Sequence, residues 1–146
     1  FFPFASSKKT KPAKINQPSI KQGNNQTILV VEDDSATRAA LVESLLTLNY
    51  QISEVRNGRE ALTLLTSKDR PPIDLILTDV VMPQMGGIPL LKTIRAQQIN
   101  LPVVLLTGHP LTEEINNLQS LNLSGWLLKP PSLEQLSQLL AKALNI

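Results

Sequence analysis

Ile73-Asp74-Leu75-Ile76-Leu77-Thr78-Asp79-Val80-Val81-Met82-Pro83-Gln84-Met85-Gly86-Gly87 is an apolar run that meets a carboxylate and then breaks into a loop marked by proline and glycine. The part from 73 to 78 has the length and the Leu/Ile character of a strand covered on both faces, and the residues after Asp79 force a turn. Asp79 is thereby placed at the carboxyl end of a strand, where open α/β sheets bind their ligands. Two similar ends lie outward from it. Glu32-Asp33-Asp34 follows Thr27-Ile28-Leu29-Val30-Val31, and Lys129 follows Trp126-Leu127-Leu128. Acidic residues at two strand ends and a lysine at a third make a site for magnesium and for a phosphoryl group on Asp79.

Five such runs recur, at 27–32, 50–55, 73–78, 102–107 and 124–128, and helical periodicity fills the spaces between them. A helix over 34–48 places Leu41, Val42, Leu45, Leu46 and Leu48 at similar spacing, and one over 87–97 carries Leu90, Leu91 and Ile94. Asn57-Gly58-Arg59-Glu60 has the capping arrangement that opens a helix over 57–68. Pro110 suits the first turn of a further helix. Ser132-Leu133-Glu134-Gln135 opens the last one, whose stripe is Leu133, Leu136, Leu139, Leu140, Ala143 and Leu144. Five β/α units in series imply an α/β fold with a parallel sheet and right-handed crossovers.

A chain of 146 residues has room for one domain with a real core. It has no cysteine, which excludes disulfides and thiolate metal sites and makes a cytoplasmic location the natural expectation. The overall charge of +2 conceals a division. Five of the 14 basic residues (Lys8, Lys9, Lys11, Lys14 and Lys21) fall in the first 26 positions, which hold no acid, so the remainder sets nine against 12 acidic residues, a formal −3. A mildly acidic domain argues against direct nucleic-acid binding. Residues 5–26, rich in Ser, Lys, Pro, Asn and Gln, read as a disordered linker, so the domain is expected to span 27–146 behind a 1–26 tail. No run is long enough to span a bilayer, and Phe1-Phe2-Pro3-Phe4 is too short for a signal core, so no membrane contact is expected of the domain. The chain does not begin with Met, which suggests a piece of something longer or a processed protein.

Clustered carboxylates repel, and without a cation one of them tends to keep a proton. Magnesium resolves the conflict, because it prefers oxygen ligands and retains waters that a phosphate can replace. Lys129 would add a second positive charge, and Thr107, ending the fourth strand, a hydroxyl donor. Aspartate is a competent covalent acceptor in such chemistry. Taken alone, an acidic pair after a strand is more often a solvated turn and helix cap, a Lys-Pro is usually a surface turn, and a strand-end Thr usually serves local hydrogen bonds. Their joint occurrence, each at a strand's carboxyl end, is what points to a site.

At this stage the chain, over about residues 27–145, resembles the receiver domain of two-component response regulators. The matching pieces are ILVVEDD (28–34), NGREAL (57–62), LILTDVVMPQMGG (75–87), VVLLTG (103–108) and GWLLKP (125–130). The resemblance implies a flavodoxin-like, doubly wound sheet of order 2-1-3-4-5. It implies phosphorelay signalling, in which a histidine kinase or histidine phosphotransfer protein donates a phosphoryl group to Asp79 and the domain promotes its own phosphorylation and dephosphorylation. By the same resemblance Asp33 is a direct magnesium ligand, Glu32 acts mostly through water, and Val81 contributes its backbone carbonyl. Thr107 is the switch hydroxyl, Lys129 pairs with the phosphoryl group ahead of a cis peptide to Pro130, and Trp126 stands where the switching ring is usually Tyr or Phe. Pro131, where Phe is frequent, and Gly108, where Ala is common, are further departures. None of them removes a chemical group.

Competing readings fail on particular residues. A phosphatase of the haloacid-dehalogenase type needs a second Asp where Val81 stands. A nucleotide or flavin domain needs a Gly- or hydroxyl-rich loop where Glu32-Asp33-Asp34 would repel phosphate. A Ser-His-Asp hydrolase would have to use His109, the only histidine, which lies in a loop without a nucleophile elbow. The closest rival is a receiver-like domain acting only by protein–protein interaction, but such domains typically lose one of the groups retained here. Two settings stay open, a free-standing receiver and the C-terminal receiver of a hybrid sensor histidine kinase. Phe1–Phe4 ahead of a polar linker resembles the end of a kinase ATP-binding domain and favours the second. Homodimer formation through the helix after Pro110 and the last helix is left undecided.

Overall fold

The structure, a computed structural model, describes residues 20–111, 113 and 117–146. Its strands are β1 (Thr27–Val31), β2 (Gln51–Val55), β3 (Leu75–Asp79), β4 (Val103–Thr107) and β5 (Gly125–Leu128). Its helices are α1 (Ser35–Thr47), α2 (Gly58–Leu65), α3 (Gly87–Ala96) and α4 (Leu133–Leu144), with a 3₁₀ turn at Gln119–Leu121. All neighbouring strands run parallel in the order β2-β1-β3-β4-β5, as the resemblance implied.

Alternation along the strands divides the core in two. Ile28, Val30, Leu75, Leu77, Val104 and Leu106 face α1 and α4, while Leu29, Val31, Ile76, Val103 and Leu105 face α2 and α3. Covering on both sides explains why β3 and β4 are wholly buried and why their sequences are nearly continuous apolar runs. The edge strands β2 and β5 are more exposed and correspondingly more mixed in sequence.

Local capping agrees with the sequence, with one variation. Asp34 accepts from Thr37 N–H, and Ser132 forms a complete capping box with Gln135. At α2 the Asn57 side chain accepts from Glu60 N–H, but Glu60 Oε1 reaches one residue further back and accepts from Arg56 N–H. The helix expected from Pro110 is only partly visible. Pro110 and Leu111 are not helical, Asn117 and Leu118 are, and several positions between them lie outside the described residues. Asn122, in the left-handed region at φ 57°, closes the turn that follows.

The 1–26 tail is described only in part. Phe1–Phe4 and most of the tail lie outside the described residues, but 20–26 are described and are hydrogen-bonded to the domain. Gly23 N–H donates to Leu48 O and Asn25 N–H to Asn49 O. Composition cannot reveal this docking, because it depends on backbone groups and one glycine. Among the described residues no helix is long and apolar enough to cross a membrane.

Candidate functional site

Parallel pairing brings the carboxyl ends of the strands together. Val31 is in register with Thr78, Asp79 with Leu106 and Thr107 with Leu128, so Glu32, Asp33, Asp79, Thr107 and Lys129 emerge at one edge of the sheet. Backbone bonds fix the loops around them, with Val80 N–H donating to Leu106 O at 2.9 Å and Lys129 N–H to Thr107 O at 2.8 Å. The Lys129–Pro130 peptide is cis.

The two glycines that end the opening motif serve close approach. A Cβ on Gly86 would overlap Val80 O, and one on Gly87 would lie 2.5 Å from the carbonyl oxygen of Asp79. They let the start of α3 fold back against the end of β3, holding the backbone of Asp79 in place. Gly108 is different, because a Cβ there would meet open space.

Lys129 Nζ donates to Asp79 Oδ2 at 2.9 Å and to Glu32 Oε1 at 3.0 Å, closing an ion triad. Glu32 is 1% and Asp79 6% exposed, so both carboxylates are screened from solvent, while the Lys129 side chain is partly exposed and Asp33 stands exposed at the rim. Carboxylate oxygens of Glu32, Asp33 and Asp79 all lie within 4.8 Å of one another. Asp34, the remaining acid of that run, is committed elsewhere. It caps α1 through Thr37 N–H and Thr37 Oγ1, and those hydrogen bonds lower its pKa. The oxygens of the two buried acids are unequally engaged. Glu32 Oε2 accepts from Asp34 N–H at 3.0 Å, whereas among the described residues Asp79 Oδ1 has only a long 3.4 Å contact from Val81 N–H. Asp79 Oδ1 is therefore the least committed oxygen of the pair.

Burial raises the pKa of Glu32, and the hydrogen bonds it accepts from Asp34 and Lys129 only partly offset this. For Lys129 burial acts downward, but its hydrogen bonds to Asp79 and Glu32 outweigh it and the ammonium pKa is raised. The two shifts act on stability in different windows. Above the ordinary 4.5 and below its raised folded value, Glu32 holds a proton that the unfolded chain has lost. Its contribution to stability therefore falls as pH rises through that window and is level above it. The Lys129 contribution is fully present below 10.5 and lost as pH climbs through its raised value. In chelator-treated protein, Glu32→Gln is expected to remove the first of these slopes. Melting curves from about pH 4 to 7, taken as the difference between variant and wild type, check it, and an unchanged slope would contradict the assignment.

Thr107 and Val81 are also at this edge, whereas Trp126 lies within β5, in register with Leu105. Thr107 is buried, and its hydroxyl donates to His109 O at 2.8 Å, so it is engaged with the following loop. Trp126 is half-buried and packs against the cluster on the α2–α3 face. Val81 is 72% exposed. Arg38 was not anticipated. Its Nη1 donates to Glu32 O at 2.8 Å while its Nε pairs with Glu54 at 3.3 Å, tying the acidic loop to β2. Its position on the inner part of the first turn of α1 was the only available signal. Arg95 was likewise missed. Its guanidinium donates to the carbonyls of Leu121, Ile99 and Leu101, bracing the 3₁₀ turn against α3.

The donor set suits a hard divalent cation. Three carboxylates converge to within 4.8 Å, near the span of about 4.2 Å that opposite ligands make across magnesium at ~2.1 Å bonds.

Comparison with known proteins agrees with this geometry. The family model for the response regulator receiver domain matches residues 28–141. The chain is 36% identical over 118 residues to the sensor histidine kinase RcsC of Salmonella typhi, a match covering 81% of the chain and 12% of that kinase. It is 30% identical over 128 residues to the two-component response regulator ORR5 of Oryza sativa subsp. japonica, covering 86% of the chain and 94% of the relative. Among solved structures, the receiver domain of the Francisella response regulator 1452 superposes with a TM-score of 0.72 at 28% identity, over 82% of this chain and 97% of that one. The chain thus spans only a small fraction of the kinases it matches and nearly all of the plant regulator.

Proposed function

This chain belongs to the response regulator receiver domain family, and we propose that Asp79 is its phosphoacceptor in a two-component phosphorelay. The observation that carries this reading is the contact of Lys129 with Asp79 inside a cluster of three carboxylates at the carboxyl edge of the sheet. In the proposed reaction Asp79 Oδ1 attacks the phosphorus of a phosphohistidine. The P–N bond breaks and the imidazole departs with that electron pair, taking up a proton from solvent. Asp79 becomes an acyl phosphate. Lys129, already hydrogen-bonded to Oδ2, holds the carboxylate in line and then pairs with the transferred phosphoryl oxygens.

Glu32, Asp33, Asp79 and the Val81 carbonyl would hold magnesium, which when bound neutralises charge on the phosphoryl oxygens and the attacking carboxylate. Asp33 is exposed and free to reach a cation at the rim. Glu32 would act from behind, since its oxygens accept from Lys129 and Asp34. Thr107 is the proposed switch. Its hydroxyl exchanges the His109 carbonyl for a phosphoryl oxygen, and the half-buried ring of Trp126 responds by shifting a pre-existing equilibrium. The donor would be a histidine kinase or a histidine phosphotransfer protein, in a cytoplasmic relay. The match to RcsC supports a place in a hybrid sensor kinase.

Incubation with magnesium and a small phosphodonor such as acetyl phosphate tests the proposal by intact-protein mass spectrometry. One phosphoryl adduct is expected on wild type, none on Asp79→Asn and none with chelator. Asp33→Asn should require a higher magnesium concentration, because it removes a direct ligand and leaves the nucleophile. An adduct retained by Asp79→Asn would overturn the assignment.

A further inference from the structure

Ser137 is a polar residue on the buried face of α4, wholly excluded from solvent between Leu136 and Leu140. A buried hydroxyl requires a partner, and this one finds it 116 positions away. Ser137 Oγ accepts from Lys21 N–H and donates to Lys21 O at 3.2 Å. From there the chain crosses to the end of α1 and the start of β2. Gly23 N–H donates to Leu48 O at 2.7 Å, and Gly23 O accepts from Asn49 Nδ2 at 2.8 Å. Asn25 N–H donates to Asn49 O at 3.0 Å. Gly23 is buried flat against Tyr50, and a Cβ there would overlap the ring. Asn25 and Asn49, at φ 64° and 71°, supply the left-handed turns that let the two segments meet.

This crossing lies at the amino ends of the strands. At their carboxyl ends the same two helices stand apart. A cavity of about 270 Å³ opens between α1 and α4, lined by Thr37, Ser44, Leu136 and the Lys129-Pro130-Pro131 segment. Leu136 adjoins Ser137 in the same helical turn, so a displacement of Ser137 moves a wall of this cleft. We infer that residues 21–25 are a strap that joins α4 to the end of α1, and that couples the chain leading into the domain to the width of the cleft beside Lys129. The segment is thus part of the folded unit, and the linker proper ends before Lys21.

Amide hydrogen exchange and NMR on the full chain test both halves of the inference. In wild type the Lys21, Gly23 and Asn25 amides should exchange at least about tenfold more slowly than unstructured amides. Ser137→Ala should return Lys21 to rapid exchange. Lys21→Pro removes the same donor at an exposed position without altering α4, and it should shift the resonances of Thr37, Ser44 and Leu136 in the same direction as Ser137→Ala. Unprotected exchange at all three amides in wild type would overturn the strap. Cleft resonances unmoved by both variants would overturn the coupling and leave a passive attachment.

Discussion

Lys129→Met is expected to slow phosphoryl acceptance by roughly 10²–10³-fold, the range found when one preorganised donor is removed from a site of developing charge. Among the described residues the ammonium is the only group hydrogen-bonded to both buried carboxylates, at 2.9 Å from Asp79 and 3.0 Å from Glu32. Methionine keeps the length and apolar stem of the side chain and removes only the charge and the donors. Magnesium should still bind, because all three carboxylates remain. In chelator-treated protein, loss of the ammonium leaves Glu32 facing Asp79 without the hydrogen bond and charge that partly offset its raised pKa, so that pKa should rise further. The stability of the variant should therefore fall more steeply than that of wild type as pH rises. Rates of adduct formation at saturating magnesium, with melting temperatures across the same pH range, provide the check. A rate within about threefold of wild type would show that the ammonium has no part in transfer.

Gly87→Ala should damage both stability and phosphoryl acceptance, whereas Gly108→Ala should damage neither. The new methyl at position 87 would lie 2.5 Å from Asp79 O and 3.1 Å from the side chains of Leu105 and Thr78. The first of these neighbours is backbone in the middle of the site, so relief of the overlap must move β3, α3 or both. Overpacking of this kind costs about 1–3 kcal/mol, and here it also displaces the nucleophile. At Gly108 a methyl meets open space and the backbone is not in the left-handed region. Replacing that glycine restricts mainly the unfolded chain and should be neutral or stabilise by about 0.4–1 kcal/mol. Denaturant melts and adduct yields on the two variants decide the matter. Equal effects at the two positions would mean that the packing of Gly87 against Asp79 is not what holds the site.

The two results bear on how the site could be read before its structure. Asp79, Glu32, Asp33, Thr107 and Lys129 were legible because each follows an apolar run, and parallel pairing obliges the ends of such runs to converge. The division of labour within Glu32-Asp33-Asp34 was not legible. Three adjacent acids look alike in sequence, and only the fold makes one a buried partner of Lys129, one an exposed ligand candidate and one the cap of α1. The direction of the Thr107 hydroxyl, toward His109 O, depends in the same way on a loop conformation that no periodicity encodes.

Local patterns sufficed for the architecture. Apolar periodicity, capping residues and turn residues act over a few positions, so the chain by itself determined five strands, the four described helices, a parallel sheet and an acidic edge bearing Asp79. Contacts between distant positions were decided only by the tertiary structure. Ser137 meeting Lys21, Gly23 lying against Tyr50, and Arg95 bracing the turn at Leu121 each require two segments to be brought together by the packing of the whole domain. Such pairs rest on backbone carbonyls, backbone amides and the absence of a side chain. Those groups are common to every residue or visible only as a gap, so they leave no periodic trace along the chain.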